Sequence, residues 1–420
     1  MSPRQGGRVS GDQTQCQSNI LFPALQCRLE CDSGYVSDLS PVFECTGSKY
    51  EPETPNNFFC KPAVALVVSD IGEREILSTE PVPKCDQLLS SIPNKEMVGH
   101  SINLLENELI LGATSVDDET NWRFMSLHNP RDGLLTNQWT QTKIVGQQAP
   151  RNHVTFSFGK SLVYFGGDFK TQSILQNGRK ESGEWTPLKL LKRESNLNNE
   201  TFDKFTSHAC SAKLDQNKFL VIGGTLTEEG GNPTVLSDVF EVNVLDRKVQ
   251  RLGELNHART QHACAMISKS ILDENGIRTY SRAILISGGV SVTDDQETIV
   301  RVVELFKLDN AESIDLSNEM QEPRFKHQMI QLGEEILALA GQTQDGVTKS
   351  IEKFNFDTNS DFDALRSGLW SAHSRSLKFN STSNLSVTTL PESAVDCNTA
   401  LCRCGESQQQ RIIGGTLVIH

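Results

Sequence analysis

Arg259-Thr-Gln-His262-Ala-Cys264 is followed downstream by Leu285-Ile-Ser-Gly288-Gly289, and the chain repeats this pair of motifs on both sides. An apolar run ending in a glycine pair or a close relative occurs at Leu109-Ile-Leu-Gly112-Ala, Val163-Tyr-Phe-Gly166-Gly167, Leu220-Val-Ile-Gly223-Gly224 and Leu337-Ala-Leu-Ala-Gly341-Gln, as well as at Gly288. Successive first glycines are 54, 57, 65 and 53 residues apart. A histidine precedes each run: His100, His153, His208, His262 and His327, spaced by 53, 55, 54 and 65 residues. The two series keep step, so they mark one repeating unit in which the histidines share a single position.

A unit of this length that ends its second strand on glycines is a sheet that cannot bury both faces alone, so neighbours must stack on it around an axis. The histidine opens an inner strand, and the second strand leaves through glycines where the chain bends with unusual dihedrals. Val64-Ala-Leu-Val-Val-Ser69 reads as a further second strand whose glycines are replaced. Asn384-Leu-Ser-Val-Thr-Thr-Leu390 lies 57 residues after His327, where the next inner strand is due. Pairing these two closes the ring and removes an exposed edge. The fold expected is therefore all-β, a six-bladed propeller over residues 62–396.

The period and layout resemble Kelch repeats, which also carry arginines near the histidine, matched here by Arg151, Arg259 and Arg324. Tryptophans Trp139, Trp185 and Trp370 fall at later-strand positions of their units. The resemblance implies structural histidines that hydrogen-bond between blades. A metal centre of the galactose-oxidase type would need tyrosine ligands, and none of the four tyrosines sits at a repeat position. No metal and no cofactor are expected. Cys210 and Cys264 follow the histidines at the same offset. Each reads first as a small buried residue. The alternative is a disulfide between neighbouring inner strands, open to them only if their Cα atoms come within about 7 Å.

Five of the 11 cysteines lie between Cys16 and Cys60, and three more between Cys397 and Cys404. Dense cysteine in a short segment is how a small domain compensates for a thin core, and it implies an oxidising compartment. The spacings contain no Cys-x-x-Cys pair, which argues against zinc. Cys31-Asp-Ser-Gly34-Tyr35, Cys45-Thr-Gly47-Ser-Lys-Tyr50 and the closing Cys60 resemble a sushi (complement control protein) module over residues 16–61. That resemblance implies Cys16–Cys45 and Cys31–Cys60 bonds. Cys27 is extra to the pattern, with Cys85 as one candidate partner. Residues 1–15 read as unstructured.

The balance of charge, −13, repels phosphate backbones and argues against nucleic acid as a partner. No apolar run reaches the length of about 18 residues that a membrane span needs. Sequons at Asn199, Asn380 and Asn384 agree with an extracellular, glycosylated protein, although the chain opens on MSPRQGG rather than a signal peptide. The tail, residues 397–420, runs Cys404-Gly405, a polar linker, then Arg411-Ile412-Ile413-Gly414-Gly415. This is similar to the activation junction of trypsin-like serine proteases, which implies cleavage between Arg411 and Ile412. A stray propeller-type glycine pair is the competing reading. The functional expectation is a non-catalytic scaffold for other extracellular proteins, or else the front part of such a protease zymogen. Insertions at 225–237 and 269–281 are candidate contact loops.

Overall fold

The computed structural model describes residues 7–10, 26–31, 34–36, 42–46, 49–51, 60–70, 73–79, 87–88, 97–105, 108–115, 121–126, 140–142, 152–158, 161–167, 171–176, 185–192, 202, 206–215, 217–227, 232–272, 278–293, 296–356, 368–379, 385–390 and 402–403. These residues form strands, turns and loops, and none of their segments is a helix long and apolar enough to cross a membrane.

The protein is all-β with a propeller-like arrangement. Four sheets are four-stranded and meander outward from an inner strand. Sheet A comprises Met97–Leu105, Glu108–Ser115, Asn121–Ser126 and Thr140–Thr142. Sheet B comprises Val154–Phe158, Ser161–Gly166, Thr171–Gln176 and Trp185–Pro187. Sheet D comprises Ala263–Leu272, Arg278–Ser287, Glu304–Lys307 and Glu312–Asp315. Sheet E comprises Gln328–Leu332, Glu335–Thr343, Gly346–Asn355 and Leu369–Ser376. Between B and D lies sheet C, Cys210–Lys213, Lys218–Ile222, Asp238–Asn243 and Lys248–Glu254, with Leu191–Lys192 added in parallel at its outer edge.

The last sheet joins the two ends of the ring. Leu385–Leu390 pairs antiparallel with Val64–Ser69, which pairs in turn with Arg74–Leu77. The inner strands touch their neighbours from A through E, and Leu385–Leu390 touches the inner strands of both E and A.

The apolar second strands owe their composition to burial on both faces. Phe219 and Val221 pack toward sheet B with Val163 and Phe165, while Leu220 and Ile222 pack toward sheet D with Ile284 and Ile286. Leu285 then packs toward E with Ile336 and Ala338, and Leu337 and Leu339 pack toward Ala65 and Val67 of the closing sheet. Alternate residues of one strand thus serve two different seams.

A buried ion pair repeats inside sheets D and E. Arg259, in the loop entering D, donates to Glu304 on the third strand and to the carbonyls of Gly288 and Val302. Glu304 also accepts from the Asn256 amide (2.7 Å) and the Ser313 hydroxyl (2.7 Å). Arg324 does the same for E, reaching Glu352 and the carbonyls of Ala340 and Ser350, while Glu352 accepts from the amides of Gln321 and Glu322. Each pair fastens the entry loop of a sheet to that sheet's own third strand.

The N-terminal residues form a separate small sheet, Gly7–Ser10, Gln26–Cys31, Val42–Thr46 and Lys49–Glu51. Gly7–Ser10 lies inside the stretch that reads as unstructured, and it is held there by pairing in register with Arg28–Cys31. Cys31 is bonded to Cys60, with Cα atoms 5.5 Å apart.

Removing one member of a buried ion pair leaves a charge without a counterpart. Glu304→Ala, which removes the ion-pair partner of Arg259, is expected to lower unfolding free energy by about 3–5 kcal/mol in urea titration, whereas the volume-matched double change Arg259→Met with Glu304→Leu costs far less.

Candidate functional site

The inner strands enclose a cavity of about 520 Å³ on the ring axis. Each of sheets A to E and the closing strand contributes to its wall, and Gly34 of the N-terminal module contributes as well.

One mouth of this channel is built from the residue two places before the inner strand in each of sheets B to E. Asn152, His208, Gln261 and Lys326 all have positive φ, between 54° and 59°. Their backbones form a chain of hydrogen bonds around the rim: His208 N–H to Asn152 O (2.9 Å), Gln261 N–H to His208 O (2.9 Å) and Lys326 N–H to Gln261 O (2.8 Å).

This rim corrects the expectation of one shared histidine position. Val154, Cys210, Ala263 and Gln328 each oppose the residue just before a glycine pair or its equivalent, namely Phe165, Ile222, Ser287 and Leu339. His153, His262 and His327 therefore coincide, one residue earlier. In sheet C that place is held by Ala209, and His208 has moved onto the positive-φ rim. In sheet A the ladder pairs Ile102 with Leu111, just before Gly112, which puts Ser101 at the histidine place and His100 one step earlier. Cys210 and Cys264 are likewise offset by one: Cys210 opposes Ile222 while Cys264 opposes Ile286, one step further from the glycines.

The same two cysteines are joined. The Cys210–Cys264 bond links the inner strands of C and D with a Cα separation of 6.0 Å, so the reading as separate small buried residues gives way to the disulfide. With Cys31–Cys60, it makes two disulfides among the described residues, which is consistent with an extracellular protein.

The glycine pairs are explained by close approach. A Cβ on Gly288 would lie 2.1 Å from the Arg324 carbonyl oxygen and 2.7 Å from His327 Cε1 of the next sheet. A Cβ on Gly289 would lie 2.7 Å from His262 Cβ of its own sheet. Gly223 repeats the first contact with Arg259 and His262, and Gly341 repeats the second with His327. The imidazoles thus wedge between successive glycine pairs, and their chemistry follows from that burial. Desolvation, aided by the charge of Arg259 and opposed by a hydrogen bond with the Ile222 backbone, pushes His262 down to about 3. Desolvation and the charges of Arg324, His262 and Arg259 hold His327 well below its usual range, with its Nε2 at 2.9 Å from the Ser287 hydroxyl. Both rings are neutral near pH 7 and act as spacers, and His327 also bonds with the Ser287 hydroxyl of the preceding sheet.

The channel wall carries hydroxyls, amides, neutral imidazoles and Lys213, and none of its described side chains is a carboxylate. Asn103 of sheet A donates to the Thr155 hydroxyl of sheet B across one seam (2.8 Å). This chemistry offers hydrogen bonds to a polar occupant. A cluster of His257, Glu304 and Asp315 on sheet D has its groups already engaged: Glu304 with Arg259, and His257 with Asp315 at 3.1 Å.

Three hairpins rise from the glycine side of the channel. They are Thr225–Leu226 with Thr234–Val235, Val290–Thr293 with Gln296–Ile299, and the ends of Glu335–Thr343 and Gly346–Asn355 that run past Gly341. The isolated bridges Ser207–Thr225, Thr260–Val290 and Phe325–Gln342 anchor them to the rim at equivalent points. Val292 and Val347, on two of the hairpins, are exposed at 41% and 54%. The insertion at 225–237 contains the first hairpin. The insertion at 269–281 instead lengthens the first two strands of sheet D at the opposite end.

At that opposite end the N-terminal module touches the ring. The Gly34 carbonyl accepts from the Gly333 amide (2.7 Å), in the turn after the inner strand of E, and from the Ala63 amide (2.8 Å). Gly34 has φ +82°, and a Cβ there would lie 2.4 Å from the Gly333 oxygen, so only glycine fits. Cys31–Cys60 and the pairing of Tyr35–Val36 with Lys61–Pro62 hold this turn in place. Gly34 was read from sequence only as part of a turn motif, and nothing periodic marks it as a contact.

Of the other residues singled out from sequence, Cys45 lies on Val42–Thr46 opposite Tyr50. Cys16, Asn199, Asn380, Asn384, Arg411 and Ile412 lie outside the described residues. Comparison with protein-family models and with curated proteins finds no match to this chain.

Two outcomes follow from the rim. Gly288→Ala adds a Cβ into the Arg324 carbonyl at a left-handed position, and a stability loss of at least about 1–3 kcal/mol is expected in chemical denaturation. His262 has a folded-state pKa below its unfolded value near 6.5, so its contribution is fully present above pH 6.5 and fades as pH falls toward 3. Between pH 6.5 and 5, urea unfolding of the protein should show stability dropping with pH, and His262→Gln should flatten that slope. Equal slopes would assign the pH dependence to other groups.

Proposed function

We propose that this chain is an extracellular protein-binding scaffold with no chemistry of its own. In this reading it is a sushi-like module followed by a Kelch-type propeller of six blades, sheets A to E and the closing sheet. It serves as the recognition region of a larger, glycosylated protein. The observation that supports this most is the grouping of three hairpins around one mouth of the channel, two of them presenting an exposed valine. Loops positioned by a rigid scaffold are where binding residues concentrate. The neutral, wedged imidazoles and the engaged carboxylate of Glu304 favour structural roles over catalytic ones.

The protein produced through a secretory route should bind at least one member of a panel of extracellular ectodomains saturably on a biosensor. Val292→Asp combined with Val347→Asp should weaken that binding tenfold or more with the melting temperature unchanged. No saturable binding, or binding indifferent to both changes, rejects the scaffold reading.

The sequence around Arg411 favours a second reading, in which this region fronts a trypsin-like protease zymogen. Brief exposure of the native protein to trypsin should then cut first between Arg411 and Ile412, giving an Ile-Ile-Gly-Gly N-terminus on sequencing. Earlier cuts elsewhere, with Arg411 resistant, argue against it.

A further inference from the structure

The carbonyl of Gly34 touches both sides of one seam at once. It accepts from the Gly333 amide (2.7 Å), in the turn after the inner strand of sheet E, and from the Ala63 amide (2.8 Å), at the entry to Val64–Ser69 of the closing sheet. Val36 packs against the apolar cluster that fills the same seam, whose members include Ala65 and Val67 of the closing sheet and Leu332 and Leu337 of E. The pairing of Leu385–Leu390 with Val64–Ser69 closes the ring inside one sheet, whereas these contacts fix that sheet to its neighbour. Gly34 is also the one described residue of the channel wall that comes from outside the inner strands and their entries.

We propose that the Gly34–Val36 turn is a latch on the closing seam of the ring, and that the Cys31–Cys60 bond sets or releases it with redox state. The turn is held from both flanks. Cys31 lies three residues before Gly34 and Cys60 three before Ala63, and the two are bonded. The ladder beside that bond, Tyr35–Val36 with Lys61–Pro62, is two residues long. So short a ladder is marginal in water by itself, and the seat of Gly34 depends on the disulfide. Cys31 and Cys60 are half-buried, while Cys210 and Cys264 line the channel, so a reductant in solvent meets the first pair without entering the ring. The reductant is an external dithiol, acting by thiol–disulfide exchange. The Cys31–Cys60 bond breaks to two thiols, which gain two electrons and two protons, and the dithiol becomes a disulfide. Gly333 and Ala63 then lose their common acceptor and Val36 leaves the cluster, while the rim and the three hairpins at the opposite end stay as they are.

The inference does not rest on what the hairpins bind, and amide hydrogen exchange on the full chain tests it. In the double variant Cys31→Ser with Cys60→Ser, the Gly333 and Ala63 amides should exchange at least about tenfold faster, and the rim amides of His208, Gln261 and Lys326 should keep their rates. Gly34→Ala, whose Cβ would meet the Gly333 oxygen at 2.4 Å, should free the Gly333 amide in the same way with the disulfide intact. Should the double variant fail to fold, dithiothreitol serves as the dithiol on the native protein. Alkylation should then mark Cys31 and Cys60 before Cys210 and Cys264, with Gly333 and Ala63 losing protection in step. Unchanged protection at Gly333 and Ala63, an equal loss at the rim amides, or earlier reduction of Cys210–Cys264 overturns the assignment.

Discussion

The inner rim of the ring is a problem of space. Sheets that converge on an axis bring their second strands, entry loops and neighbours' side chains into one crowded band, and the chain resolves this by leaving Cβ atoms out. Gly223 and Gly288 sit under the imidazole of the following sheet, and Gly289 and Gly341 sit against the histidine of their own. Because Gly223 and Gly288 touch the following sheet directly, angular spacing around the ring is set here rather than at the wide outer edge. The buried arginines complete the arrangement: Arg259 and Arg324 present their carbonyls to the glycines while their guanidinium groups hold Glu304 and Glu352. Close approach and charge burial are thus one device, repeated in consecutive sheets.

That economy explains why the histidines are not interchangeable with one another. His262 and His327 are wedges whose neutrality is enforced by burial next to an arginine. His208 sits one residue earlier, on the rim, with Ala209 in the wedge position, and Thr206 stands where sheets D and E have their arginine, its carbonyl against Gly166. A covalent bond, Cys210–Cys264, joins sheet C to sheet D at the seam that His262 also fills.

Much of this was open to a reader of the sequence, and some was closed for physical reasons. Glycine pairs after apolar runs revealed the second strands because close approach leaves a compositional mark. Leu385–Leu390 and Val64–Ser69 were found as closing partners from position alone, and the ladder between them bears that out. Glu304 and Glu352 were not found, since they lie at different distances along the chain from their arginines and only folding brings them together. The one-residue offset of His208 was equally invisible, because equal spacing in sequence does not reveal where a positive φ takes up a residue. The turn at Gly34 was legible as a turn, but its contact with Gly333 depends on a docking geometry that no local pattern encodes.

The pairing of Leu390 with Val64 has a consequence beyond stability. Segments more than 300 residues apart in the chain depart from adjacent positions on one sheet. Whatever precedes the ring and whatever follows it are therefore held at high effective concentration, of the millimolar order typical of short tethers. A partner that grips both flanking segments gains avidity from this placement without any new contact, and cutting the chain between the ring and either flank abolishes that gain while leaving each separate contact intact.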